Sequence, residues 1–305
     1  MTQERTFTYP SSDGIHEIFA REWLPEGEIR AVVQLVHGVG EHMGRYDRFA
    51  RFLNEHGMAV YGADHLGHGR TESERGWFAE QDGWRLVVQD VRCLRELAGE
   101  KHPGVPYIML GHSMGSFLAR TYLVDWPGTL DGVILSGTGQ EKAALVAAGK
   151  AISAMIGAVK GTKYRSKLVY GLSMGAYNKK FSPVRTSADW ISRDEAVVDA
   201  YVADPLRTAS TVGLFRDMMG GLQYIAKPSN LAKMDKDTPV YFFSGDADPV
   251  GDMGRGVRKV YDMFKMAGCR EVEIKLYEGG RHEMLNELNY QQVQKDTLAW
   301  IEGHI

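Results

Sequence analysis

A chain of 305 residues with 44% hydrophobic residues can bury a substantial core, as one large α/β domain or two ordinary ones. Its net charge of -3, from mixed lysine, arginine and acid usage, supplies no basic field and excludes nucleic acid as an expected partner. Two cysteines, Cys93 and Cys269, are too few for a disulfide framework and suggest no metal site, so buried free thiols are expected.

The first residues, Met1-Thr2-Gln3-Glu4-Arg5, are polar and lead into strand-like sequence without the apolar core of a signal peptide. No window reaches the roughly 18 uncharged apolar residues of a membrane span, which makes the cytoplasm the expected location. Residues 6–9 and 15–23 read as strands around the turn Ser11-Ser12-Asp13-Gly14. A buried strand over 31–36 runs into His37-Gly38-Val39-Gly40-Glu41-His42. Residues 45–56 then carry Tyr46, Phe49 and Leu53 at helical spacing and stop at Gly57. After a strand at 58–61 comes the glycine-broken loop Asp64-His65-Leu66-Gly67-His68-Gly69, then a helix over 82–98 with Trp84, Val87, Val91 and Leu94 on one face.

A short strand at 105–110 enters Gly111-His112-Ser113-Met114-Gly115, and a helix over 116–126 leaves it. A serine flanked by glycines two residues away fits a strained strand-to-helix apex that exposes the hydroxyl. Gly171-Leu172-Ser173-Met174-Gly175 matches the same template, but it follows a basic stretch and precedes no amphipathic helix, so context selects Ser113. A strand at 130–135 follows. The alternation of strand and helix then lapses over 140–232, which reads as a helical cap inserted between the core segments 1–139 and 233–305. It resumes with a strand at 239–244, a helix at 255–266, a strand at 271–277 and a helix at 290–301, implying an α/β fold with a mainly parallel sheet covered on both faces.

A serine hydroxyl needs an imidazole to take its proton and a carboxylate to orient the imidazole. Reactive groups gather at the carboxyl ends of parallel strands, which favours His282, after the strand at 271–277 and the turn Glu278-Gly279-Gly280. His16, His56, His102 and His304 sit where solvated or structural roles are expected. The acid should follow the strand at 239–244, where spacing leaves Asp246 and Asp248 as equal candidates. The anion formed on an attacked carbonyl needs backbone N–H donors, expected at Met114 and, in the loop after the early strand, at Val39.

These segments together resemble the α/β-hydrolase superfamily, and within it the monoacylglycerol lipase and lysophospholipase-like branch, also labelled serine aminopeptidase S33. The resemblance rests on residues 37–42 with Gly44-Arg45-Tyr46, on the loop at 64–69 and on the elbow at 110–115. It implies an α/β-hydrolase fold, selects Asp248 through a G-x-x-D-x-hydrophobic pattern, and places the base on His282 and the oxyanion donors on Val39 and Met114. It implies a serine hydrolase that cleaves carboxylic esters of fatty acids, such as monoacylglycerols or lysophospholipids, through an acyl-enzyme without metal or organic cofactor. Glu41 and Arg45 are candidate substrate-binding residues, and Glu41 would be the acidic anchor if the enzyme were an aminopeptidase. Thioesterase, acyltransferase and ligand-receptor roles use the same fold. Relatives that cleave monoacylglycerols can carry a second histidine three residues after the base, where this chain has Leu285.

Within the cap, residues 143–159 are nearly all small or apolar, interrupted by Lys150, and are expected to pack as a helix over the active-site tunnel; the competing reading is a surface for weak peripheral membrane contact. Met218, Met219 and Met234 suit either an adaptable apolar pocket or ordinary core. Oligomeric state and acyl-chain length correspond to no pattern in the chain.

Overall fold

The computed structural model describes residues 3–305. Eight strands form one sheet in the order β1-β2-β4-β3-β5-β6-β7-β8. They are β1 (Gln3–Pro10), β2 (Glu17–Leu24), β3 (Ala31–Val36), β4 (Met58–Ala63), β5 (Tyr107–His112), β6 (Gly132–Ser136), β7 (Val240–Gly245) and β8 (Val272–Tyr277). The β1–β2 hairpin is antiparallel and β2 joins β4 antiparallel, whereas β4-β3-β5-β6-β7-β8 are all parallel. This is the α/β-hydrolase fold.

The central strands are buried along their whole length, which is why they read as short continuous apolar runs. Alternate side chains still divide between two cores. Val32 and Val36 of β3 join the cluster that contains Val87, Leu118 and Val260, while Val33 and Leu35 join the one that contains Phe49, Leu53 and Val293. The first cluster is covered by α2 (Gly83–Lys101), α3 (Met114–Asp125) and a later helix, Arg255–Met266; the second by α1 (Asp47–Glu55) and the last helix, Tyr290–Glu302.

Between β6 and β7 the chain runs through α4 (Ala143–Lys160), α5 (Lys167–Leu172), α6 (Met174–Tyr177), α7 (Glu195–Ala203), α8 (Val212–Ile225) and α9 (Pro228–Leu231). The later helices are therefore α10 (Arg255–Met266) and α11 (Tyr290–Glu302). α8 packs against α3 and α2, and α4 packs on α8.

Three expectations are corrected here. The helix expected over 45–56 opens as a 3-10 turn, Met43–Tyr46, because the His42 side chain accepts from Gly44 N and starts the turn early. α3 begins at Met114 rather than 116, since the elbow leads into the helix with no intervening residues. Most consequentially, α4 packs on α8 by one narrow face only: Val146 and Ser153 are buried, whereas Leu145, Met155 and Val159 are 60%, 63% and 80% exposed. It is also long and apolar enough to cross a membrane by length and composition, a property that the demand for an uncharged window had missed because of Lys150 and Lys160.

Candidate active site

Every candidate group stands at the carboxyl end of a parallel strand. β5 ends at His112, and Ser113 follows with φ 53° and ψ -121°, a backbone conformation that side chains rarely adopt and that the surrounding structure must enforce. Ser113 N donates to Ser136 O at 2.9 Å, tying the apex to the end of β6. Gly115 is fixed by close approach, because a Cβ there would overlap the carbonyl of Val36. Glycine thus lets α3 start directly under the loop that follows β3. Ser173 has no comparable setting: it joins α5 to α6 at φ -112°, and its Oγ donates back to Val169 O at 2.7 Å.

After β7, Asp248 is fully buried and Asp246 is exposed. The Asp248 carboxylate accepts from Ser244 Oγ at 3.0 Å and Val250 N at 2.9 Å, and its Oδ2 lies 2.9 Å from His282 Nδ1. Asp246 instead accepts from Gly279 N at 2.7 Å and braces the turn after β8. The imidazole Nδ1–H therefore points at Asp248, and Nε2 is the nitrogen left for proton transfer. Burial disfavours charge on His282, but the Asp248 carboxylate and its hydrogen bond outweigh it, and the pKa is raised above the ordinary imidazole value.

His112, the residue before Ser113, has its ring centroid 4.6 Å from that of His282, which places the base candidate beside the elbow. Gly137, at φ 57°, leaves room for both rings; a Cβ there would sit 2.9 Å from His282 Cε1 and 3.1 Å from His112 Cε1. The Ser113 hydroxyl makes no hydrogen bond to His282 or to any other group among the described residues. Catalytic hydrogen bonds of this kind commonly tighten only when substrate is bound. The backbone N–H groups of Val39 and Met114 likewise donate to no protein acceptor among the described residues. For Met114 the reason is geometric, since the first N–H groups of a helix have no partner within it.

Two cavities meet here. One, of about 80 Å³, is walled by Ser113, Val39, Met114, Phe117, Met218 and Met219. The other, of about 310 Å³, shares Val39, Met174 and Trp190 with it and adds polar residues including Tyr201, Arg207 and Ser210. Of the clustered methionines, Met218 and Met219 thus face the site, while Met234 lies in the core.

Glu41 and Arg45, expected at the substrate, line neither cavity. Glu41 accepts from Gly38 N at 2.7 Å, Tyr46 Oη at 2.9 Å and Arg45 at 2.9 Å. Arg45 also grips Glu283 with two bonds of 2.7 and 2.6 Å. Burial pushes the Glu41 carboxyl up, but Arg45 and neighbouring histidines hold it down at about 2. This buried network underpins the loop after β3 and leaves no free carboxylate oxygen for an incoming amine.

Sequence reasoning missed Trp190. Its ring centroid is 5.0 Å from that of His282, and its carbonyl accepts from His282 N at 3.4 Å. A tryptophan between helices carries no local signal for such a role, and neither does the stretch that continues from it to Arg193. Arg193 pairs with the buried Glu287 at 2.9 Å, so this stretch braces the His282 loop from the cap side.

The family model described as serine aminopeptidase, S33, matches residues 27–289. The chain belongs to this family. A monoacylglycerol lipase of Mycolicibacterium smegmatis is 33% identical over 93% of this chain and 92% of its own length. The human monoglyceride lipase is 31% identical over 91% of this chain and 83% of its own. The crystal structure of a highly thermostable carboxyl esterase from Bacillus coagulans in complex with glycerol superposes with a TM-score of 0.88 at 28% identity, covering 100% of this chain and 99% of that one. The protein is a carboxylic ester hydrolase of the α/β-hydrolase fold.

Proposed function

We propose that Ser113, His282 and Asp248 act as nucleophile, base and orienting acid in cleaving fatty-acyl esters of a small polar alcohol, with monoacylglycerol as the leading substrate and lysophospholipid as the next. The observation that carries this reading is the buried Asp248–His282 pair beside a strained, unbonded Ser113 hydroxyl. Ser113 Oγ attacks the ester carbonyl as His282 Nε2 takes its proton. The tetrahedral oxyanion is received by Val39 N–H and Met114 N–H, each worth about 3 to 4 kcal/mol in barrier lowering. As the intermediate collapses, the C–O bond to the alcohol breaks and His282 returns the proton to the leaving oxygen. Water, deprotonated by the same nitrogen, then attacks the acyl-enzyme, and Ser113 leaves as the hydroxyl with release of the fatty acid.

The apolar cavity at Ser113 suits the start of an acyl chain, and the polar cavity beyond Val39 suits an alcohol headgroup. The monoacylglycerol and monoglyceride lipases among the relatives support the same substrate class. An aminopeptidase reading loses its anchor, because the Glu41 carboxylate is already occupied. The exposed apolar face of α4 supports weak peripheral contact with a lipid surface, from which substrate would be drawn; replacing Leu145 and Val159 by serine should lower partitioning onto phospholipid vesicles, and unchanged partitioning would remove that contact.

The test of the main reading is a panel of monoacylglycerols, lysophospholipids and alanyl arylamides with Ser113→Ala and Ser173→Ala variants. Ester turnover and fluorophosphonate labelling should vanish in the first variant and persist in the second. Arylamide cleavage faster than ester cleavage, or labelling retained without Ser113, would overturn it.

A further inference from the structure

The cavity at Ser113 is too small for the whole of a long fatty-acyl chain. Its volume of about 80 Å³, the space open to the centres of water molecules, holds roughly six waters at about 10 to 15 Å³ each, enough for only the first part of a long chain. A much larger groove of about 960 Å³ lies directly behind it, between α4, α8 and α10. The groove and the cavity share three wall residues, Gln140, Glu141 and Leu222, so one layer of side chains separates them.

That partition is built as a strut. Gln140 is buried; its Oε1 accepts from Arg120 Nη2 at 3.0 Å, and its Nε2 reaches Leu222 O on α8 at a long 3.4 Å. Arg120 is itself buried at 1% exposure, with no carboxylate partner among the described residues, and its Nε has no acceptor. Burial lowers its pKa to about 9. A guanidinium held under such a penalty, with only carbonyl oxygens of Gly139 and Gln140 as partners, fixes the position of Gln140. The contact on the α8 side is the weak one, so the strut is anchored at Arg120 and free to part from Leu222.

The geometry points to Gln140 as a gate between the Ser113 cavity and the groove, with the groove receiving the distal part of a long acyl chain. The occupant is the substrate's own chain: the groove begins where the cavity ends and its walls are mostly alanine, valine, leucine and methionine. Its far rim carries Met266, which at 87% is the most exposed large apolar side chain among the described residues. An acyl chain lying there would cover it. Short chains stop at the closed gate, and long ones displace the Gln140 amide from Leu222 O. Gln140 is thus a specificity-determining residue, and Arg120 a positioning residue that acts through it.

This inference rests on the ester-hydrolase reading, and the experiment separates the two. The measured quantity is the ratio of kcat/KM for p-nitrophenyl myristate to that for p-nitrophenyl butyrate, below the aggregation limit of either ester. Gln140→Ala should raise the ratio at least tenfold by removing the gate. Ala147→Trp, placed on an exposed groove position, should lower it at least tenfold by filling the groove, and Met266→Asp should lower it by putting a charge at the rim. Arg120→Met should raise the ratio as Gln140→Ala does, whereas a purely structural role would depress both esters equally. Ratios within twofold of the unaltered enzyme in folded Ala147→Trp and Met266→Asp variants would overturn the groove, and an unmoved ratio in Gln140→Ala would overturn the gate. Absence of butyrate hydrolysis in the unaltered protein would instead refute the ester-hydrolase reading, and the inference with it.

Discussion

Acid should unfold this protein from beneath its active site, and His68→Gln should blunt the effect. His37, His65 and His68 form a buried cluster under the loop after β3, with ring centroids 4.1 to 6.4 Å apart, and His112 is buried next to Ser113. Burial pushes His37 and His112 down to about 4 and His68 to about 3, against partial compensation by Glu41 near all three and Asp64 near His68, and drives His65 well below its ordinary value. These groups stay neutral in the folded state while the unfolded chain protonates them near pH 6.5, so the stability they allow is complete above that value and is lost as pH falls towards 4. At pH 5 each group with a value near 4 or below costs about 2 kcal/mol, or roughly 6 kcal/mol for His37, His68 and His112 together, with His65 adding in the same direction. His282 works the other way, since its raised pKa favours the folded state on acidification, but it is one group against four. A loss of this size is comparable to the whole stability of an ordinary domain. The assay is urea unfolding followed by the fluorescence of the six tryptophans between pH 7.5 and 5. His68→Gln keeps a donor for Leu66 O and removes one titrating group, so the stability difference across that range should shrink by about 2 kcal/mol. An identical pH dependence in the variant, or stability that rises on acidification, would refute the argument.

Three further outcomes follow from the hydrogen bonds of the site. Asp248→Asn should reduce kcat by about 10⁴-fold, because the imidazole loses the anion that fixes its tautomer, while Asp246→Asn should be mild; the acid limb of kcat/KM should lie above pH 6.5 in the unaltered enzyme, where His282 must be neutral to act, and below it in the Asp248→Asn variant. Arg45→Ala should destabilise the protein by about 3 to 5 kcal/mol in denaturant titrations at pH 7.5, since it strands Glu41 and Glu283 as buried carboxylates, and a loss below about 1 kcal/mol would show that the network is solvated.

The order of strands and the elbow were legible because each depends on neighbours in sequence. A central parallel strand is an apolar run of about six residues whatever lies beside it, and β3, β5 and β7 appear as such. The two G-x-S-x-G segments were separable on the same basis, since what precedes Ser113 is strand and what precedes Ser173 is the short helix α5. Asp248 needed the family pattern, because burial and not spacing distinguishes it from Asp246. What escaped were facts about contacts distant in sequence. Glu283, 238 residues from Arg45, takes up the guanidinium that had been assigned to substrate. For α4 the apolar composition was correct, but composition does not say which side is covered, and α8 covers only a narrow strip of it.

In the proposed mechanism, the Val39 donor and the His282 base lie on separate loops, and the network around Arg45 is what would space them about one carbonyl. Gly38 N–H is held by Glu41, which fixes the loop just before Val39, and Glu283 is the residue immediately after His282. Arg45 bonds to both carboxylates, so a single planar guanidinium spaces the loop after β3 from the loop after β8. Burial works against the charge on Arg45, yet Glu283 and Glu41 raise its pKa well above the ordinary value, so the spacer stays ionised across the range in which His282 titrates. The cap is tied to the same loop by His42 Nε2 and Asp204 Oδ2, 2.8 Å apart, and by the Arg45 guanidinium lying 4.8 Å over the Tyr201 ring. Both Tyr201 and Asp204 line the polar cavity. The residues that line the polar cavity are therefore fastened to the loop that carries Val39, the proposed oxyanion donor. On the proposed mechanism, a substitution at Tyr201 or Asp204 should lower kcat as well as raise KM, because these contacts, together with the Glu41 network, hold the loop that carries Val39 against the pull of a forming oxyanion.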